Sequence, residues 1–259
     1  MKKLITSLLA MLMMVSVAGC GNNEEAKEPA EDKKKELIVQ TNSGYEPYEM
    51  VDGKTGDLYG FDIDLMNEVA KVAGYTVKWQ DVDFDGIVSS VKLGKCDAGI
   101  AGITYTPKRA EEVDFSDVYY AGEDAQNYVL TLKDSDMNTT DDIKGKKIGT
   151  QMGTIQEAIL LSLKDEYNLT VDQRKAYSDL VIELKKGVID AVVVEKKVAE
   201  KLADKKGDLK FYKLEAGGEL SGNAIIVKKG SPLKDEFNEA IKTLKENGKL
   251  DELIEKYFK

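Results

Sequence analysis

Apolar positions change period many times along the chain, and each change marks a short element. Leu37-Ile38-Val39-Gln40-Thr41 is a compact β-branched run that predicts a buried strand, with a loop at Asn42-Ser43-Gly44. Gly60-Phe61-Asp62-Ile63-Asp64-Leu65 opens a helix in which Leu65, Val69 and Val72 share a face, and Gly74 stops it. Tyr75 to Trp79 alternates as a strand, and Phe84, Ile87, Val88 and Val91 have the spacing of an amphipathic helix. Strands follow at Tyr128 to Leu132, Lys147 to Thr150, Asp190 to Val194 and Ala224 to Val227. Helices are predicted from Gly153 to about Leu163, from Tyr177, from Ser231-Pro232 and after Asn247-Gly248. Strands alternating with helices predict α/β architecture with mainly parallel pairing.

One piece of this grammar occurs twice. Gly94-Lys95-Cys96-Asp97-Ala98 and Gly187-Val188-Ile189-Asp190-Ala191 each follow a helix and start a buried strand, which supports two similar α/β lobes.

The amino-terminal stretch has a different pattern. Lys2 and Lys3 precede an apolar run from Leu4 to Ala18, ending in Val17-Ala18-Gly19-Cys20. A charged start, an apolar stretch and small residues form an export signal, and the run is shorter than the about 20 residues a spanning helix needs. The ending resembles a bacterial lipobox, which implies a signal peptide over 1–19 and lipid on Cys20; an ordinary secretory signal is the alternative. Residues 20–35 are charged and lack apolar periodicity, and so predict a flexible tether.

Charge and composition narrow the chemistry. The net charge is -10, which argues against nucleic acid as a partner. No histidine is present, which excludes Ser-His-Asp and Cys-His catalysis and His-ligated zinc. Cys96 is the only cysteine besides Cys20, so no disulfide is expected after Cys20 is lipidated. Asp81-Val82-Asp83-Phe84-Asp85-Gly86 copies the start of a calcium loop, but Lys92 stands where the closing glutamate belongs. Gly145-Lys146-Lys147 lacks the remainder of a phosphate-binding loop. No metal or cofactor is expected.

Three features at strand ends carry candidate chemistry. Thr106 and Pro107 start a helical turn that presents Arg109, a guanidinium suited to a carboxylate; pairing with Glu111, Glu112 or Asp114 on a solvated face is the alternative. Gly153-Thr154 supplies N–H groups at a helix start, and Glu195 ends a buried strand with a negative charge. Opposite charges of this kind suit the zwitterion of an α-amino acid.

Gly60-Phe61-Asp62-Ile63-Asp64-Leu65, Ala101 through Arg109, and Val113-Asp114-Phe115-Ser116 resemble signature motifs of bacterial solute-binding proteins for polar amino acids. The likeness runs from about Leu37 to the end of the chain. It implies a periplasmic-binding-protein-like type II fold, two α/β lobes joined by a two-stranded hinge. Lobe 1 is then 36–123 with 222–259, and lobe 2 is 124–221 with the hinge strands. The implied function is amino acid capture outside the cytoplasmic membrane for an ABC importer, by a lipid-anchored monomer that delivers its ligand to the permease. By motif position, Arg109 binds the ligand α-carboxylate, helped by Thr104, the Gly102 backbone and the Thr154 amide. Glu195 replaces the usual aspartate against the α-ammonium, Tyr45 and Phe84 sandwich the side chain, and Gln156 lies near its end. Asn42 stands where binders of basic amino acids often have an acid, so the ligand is expected to be a polar, uncharged or basic L-amino acid. The same scaffold also carries cyclohexadienyl dehydratases, with Glu195 then a general acid, and amino acid sensor modules.

Overall fold

The apolar run at Leu37 is the start of an extended parallel pair. Strand β1 (Lys35–Thr41) pairs along its length with β4 (Tyr75–Asp81), and its other edge pairs with β5 (Ala98–Gly99). A computed structural model describes residues 35–122, 126–204, 207–218 and 221–259. The export signal, Cys20 and the tether up to residue 34 lie outside the described residues, and Lys35, read above as tether, already belongs to β1.

Between β1 and β4 come a small hairpin, β2 (Met50–Val51) and β3 (Leu58–Tyr59), and helix α1 (Phe61–Val72). Helix α2 (Phe84–Lys92) precedes β5, and the short α3 (Pro107–Ala110) precedes β6 (Val113–Phe115). The first sheet is completed from far downstream by β12 (Ile226–Lys228), giving the order β4-β1-β5-β12-β6.

The second sheet uses the intervening chain. Its strands are β7 (Asn127–Leu132), β8 (Lys147–Gln151), β9 (Thr170–Arg174), β10 (Ala191–Glu195) and β11 (Leu209–Lys213), in the order β11-β7-β10-β8-β9. Helices α4 (Ile155–Leu163), α5 (Tyr177–Lys185) and α6 (Lys196–Asp204) connect them. The two crossings between sheets pair with each other: Asn223 N–H donates to Tyr120 O at 2.7 Å, and Tyr119 N–H donates to Asn223 O at 3.0 Å. This is the two-stranded connection.

Pairing is mixed, not mainly parallel. β7 runs against β10, and β12 runs against both β5 and β6. Both strands arrive from the opposite sheet, entering at the carboxyl ends of the parallel strands, and must therefore run against them. The sequence reading also omits β9, β11 and α6. β9 and β11 are edge strands with few buried residues, so neither has a continuous apolar run, and α6 follows β10 with no intervening loop.

The carboxyl-terminal helices α7 (Leu233–Glu246) and α8 (Lys249–Phe258) return to pack on α1. The Phe258 ring stacks on Tyr120 at 4.2 Å and meets Phe61 edge-on at 4.8 Å, which ties the chain end to the crossing segment. Full burial of side chains such as Phe61 and Phe237 is worth about 1.5–3 kcal/mol each. Cys96 is buried beside Ile87 and Val91, and burial pushes its thiol up to about 11, consistent with a packing role.

Candidate ligand-binding site

A cavity lies where the carboxyl ends of β1, β8 and β10 converge. Tyr45, Phe84, Gly102, Thr104 and Arg109 line it from the first sheet's side, and Thr154, Gln156 and Glu195 line it from the second's. All eight residues named from the sequence are thus brought together, although not every backbone group is available as expected.

The corner bearing Arg109 folds as its sequence dictates. The Thr106 hydroxyl accepts a hydrogen bond from Arg109 N–H at 3.1 Å, and Pro107 occupies the first helical position. The guanidinium donates from Nη1 to Thr104 O at 2.8 Å and from Nη2 to Gly153 O at 3.0 Å, so it spans the cleft. It lies 5.6 Å from the centroid of the Phe84 ring. Glu112, one of the surface partners considered above, pairs with Lys92 instead. Burial lowers Arg109 to about 10, which leaves it cationic at neutral pH.

Two N–H groups are spent inside the protein. Gly102 N–H donates to Asp62 Oδ2 at 2.7 Å, so Gly102 lines the cavity without offering that donor. Gly153 N–H donates to Glu157 Oε2 at 2.8 Å, because the glutamate in the first turn of α4 reaches back to satisfy it. Thr154 caps α4: its hydroxyl accepts from Glu157 N–H at 3.2 Å and donates to Gln151 O at 2.7 Å.

Glu195 ends β10 and is 2% exposed. Its Oε2 accepts from the Tyr48 hydroxyl at 2.7 Å, and its backbone N–H donates to the Tyr45 hydroxyl at 3.3 Å. Burial raises its carboxyl to about 8, against the opposing effect of the Tyr48 bond. The Tyr45 ring stacks on Tyr177 at 4.8 Å, while Phe84 lies under the guanidinium.

The remaining wall is built of amides. Gln156 Nε2 donates to Asn127 Oδ1 at 2.9 Å, and Gln151 Nε2 donates to Asn42 Oδ1 at 2.7 Å. Sequence reasoning did not place Glu49, Gln151 or Tyr177 in this cavity. Gln151 directly follows a predicted strand, which was a usable signal; Glu49 closes a turn with no periodicity to report its burial. The calcium-like stretch does other work, with Asp83 preceding α2 and pairing with Lys175 across the cleft. Among the described residues no acidic or cysteine cluster is arranged to hold a metal ion.

Two α/β halves joined by paired crossing segments, with a cleft between their strand ends, define a two-lobed solute-binding protein. Residues 37–259 match the bacterial extracellular solute-binding proteins, family 3, and the chain belongs to that family. It is 37% identical to the arginine-binding extracellular protein of Bacillus subtilis (strain 168), over 100% of this chain and 98% of the relative. Among solved structures, it is similar to an ancestral arginine-binding protein bound to arginine, at 33% identity and a TM-score of 0.80, over 86% of this chain and 98% of that one. The structure of an ancestral arginine-binding protein bound to glutamine gives 33% identity and a TM-score of 0.78, over 86% of this chain and 97% of that one.

Proposed function

We propose that this chain is the extracytoplasmic amino-acid-binding component of an ABC importer and has no enzymatic activity of its own. It holds the ligand's α-carboxylate at Arg109, with Thr104 and the Thr154 amide beside it, and the α-ammonium at Glu195. The observation that carries this reading is the presence of a half-buried guanidinium and a buried carboxyl group, from opposite sheets, in one cavity. Tyr45 and Phe84 cover the side chain, and the amides of Asn42, Gln151 and Gln156 receive its end, which suits a polar or basic L-amino acid. A relative that binds arginine, and structures of ancestral arginine-binding proteins, one bound to arginine and one to glutamine, support that range.

The charged start, apolar run and Val17-Ala18-Gly19-Cys20 support export followed by lipid attachment at Cys20. The protein is then a monomer tethered to the outer face of the cytoplasmic membrane, with 36–123 and 222–259 as one lobe, 124–221 as the other, and the permease as its partner. Micromolar affinity requires about -8.2 kcal/mol, within reach of two desolvated ion pairs and aromatic contact after ordering costs. Calorimetric titration with the twenty amino acids and cystine tests the reading. Saturable binding of at least one polar or basic member is expected; no binding at millimolar ligand overturns it, and turnover of prephenate or arogenate would make the chain an enzyme.

A further inference from the structure

Tyr48 stands outside the cavity's lining, yet its hydroxyl reaches the site's acid. It lies in the loop between β1 and β2 and is fully buried. Its carbonyl accepts Asp62 N–H at 3.0 Å, so the start of α1 grips the loop with a donor that the helix itself leaves free. The ring stacks on Tyr45 at 5.5 Å and meets Phe258 edge-on at 5.2 Å, with Tyr120 and Phe61 edge-on at 6.2 and 6.3 Å. Packing of this density holds the ring in one rotamer. Its hydroxyl donates to Glu195 Oε2 at 2.7 Å. The Tyr45 hydroxyl accepts Glu195 N–H at 3.3 Å, so two stacked tyrosines from the first sheet's side hold the end of β10 by its side chain and by its backbone.

We infer that Tyr48 is a positioning residue of the ligand site, holding Glu195 by one oxygen so that the other meets the ligand's α-ammonium. The inference rests on the binding function proposed above. A phenol that donates to a carboxyl oxygen favours the ionised form, which is the form an ammonium needs. The acids facing Glu195 are Asp62 and Glu49. The other groups facing it are the hydroxyls of Tyr45, Tyr119 and Tyr177, the Asn223 amide and, in the same cavity, Arg109. Without the Tyr48 donor, burial and the Asp62 charge act on Glu195 with less opposition. Its carboxyl then rises above about 8, and more of the ligand's binding free energy goes into expelling the proton.

Y48F removes the hydroxyl and keeps the ring. The twenty amino acids and cystine are titrated calorimetrically into the purified wild type, and the tightest binder and its deaminated analogue into Y48F. At pH 7 Y48F is expected to lose at least about tenfold for the amino acid and less than about threefold for the analogue, which has no ammonium to place. Between about pH 6 and about pH 8.5 the wild-type affinity is expected to level off near about 8, while that of Y48F goes on rising. In an E195Q background Y48F is expected to add little, since no charge remains for the hydroxyl to stabilise. Equal losses for the two ligands, or coincident pH profiles, overturn the positioning role. So does a Y48F protein that fails to fold, because the hydroxyl then serves the core. Absence of binding by the wild type overturns the binding reading and this inference together, whereas a wild type that binds, with equal losses in Y48F, overturns this inference alone.

Discussion

Glu195 is taken out of water by the fold and Arg109 is half-buried, and they respond differently. Arginine starts so far above neutrality that a fall to about 10 leaves its charge intact, whereas Glu195 rises to about 8 and holds its proton at pH 7 while the cavity is free of ligand. An α-ammonium beside Glu195 favours the carboxylate and expels that proton. Below about pH 8 the free protein therefore binds one more proton than the complex, so affinity rises with pH toward that value, by up to about tenfold per unit. Calorimetry at pH 7 in buffers of differing ionisation enthalpy is expected to report release of close to one proton, and E195Q to abolish it. A buffer-independent enthalpy for the wild type contradicts the assignment. At this scale the sequence was readable where charge stood at the end of a strand, as at Arg109 and Glu195. Asp62 had a weaker signal, since it falls four residues before Met66 and seven before Val69, on the buried face of α1. Glu49 had none: nothing in Tyr48-Glu49-Met50 separates a buried acid from a solvated one.

The repeated Gly-x-x-Asp-Ala grammar has a structural cause at the scale of elements. Asp97 Oδ2 accepts from Ile38 N–H at 2.8 Å, and Asp190 Oδ2 accepts from Lys147 N–H at 2.7 Å. Each aspartate also donates its own N–H, at 2.8 Å, to the carbonyl of that same residue. The two sheets thus use one clamp to bring a strand in beside its parallel neighbour, which is why the motif was visible twice. The approach of the two halves depends on Gly153, the residue before the cap of α4. Its φ is +78°, and a Cβ there would sit 2.8 Å from the Asp85 Cα in α2. Gly187 has a similar φ of +68° with open space around it. Alanine at either position costs roughly 1–2 kcal/mol in backbone strain, but only Gly153→Ala obstructs closure. Gly153→Ala is expected to lower both stability and affinity, the latter by about tenfold, while Gly187→Ala lowers stability alone; equal affinities for the two variants refute a close approach at Gly153. What the sequence left unread at this scale, β9, β11 and the antiparallel direction of β7 and β12, is set by which edge a strand occupies and from which end the chain arrives, and neither leaves a period in the sequence.

For the whole molecule, neither sheet contains a complete site. The guanidinium arrives from the first, the acid from the second, and the crossings paired at Tyr120 and Asn223 connect the halves. The central claim is that these two charges close on the two ends of one zwitterion. It is tested most directly by titrating the amino acid that binds best, its deaminated analogue and its α-amide against wild type, R109A and E195Q. R109A is expected to lose at least about a hundredfold for the amino acid, because a carboxylate would be buried unpaired. E195Q is expected to lose more than tenfold for the amino acid and little for the deaminated analogue, and R109A to lose little for the α-amide. Equal losses across all three ligands, or wild-type affinity in R109A, would contradict the account.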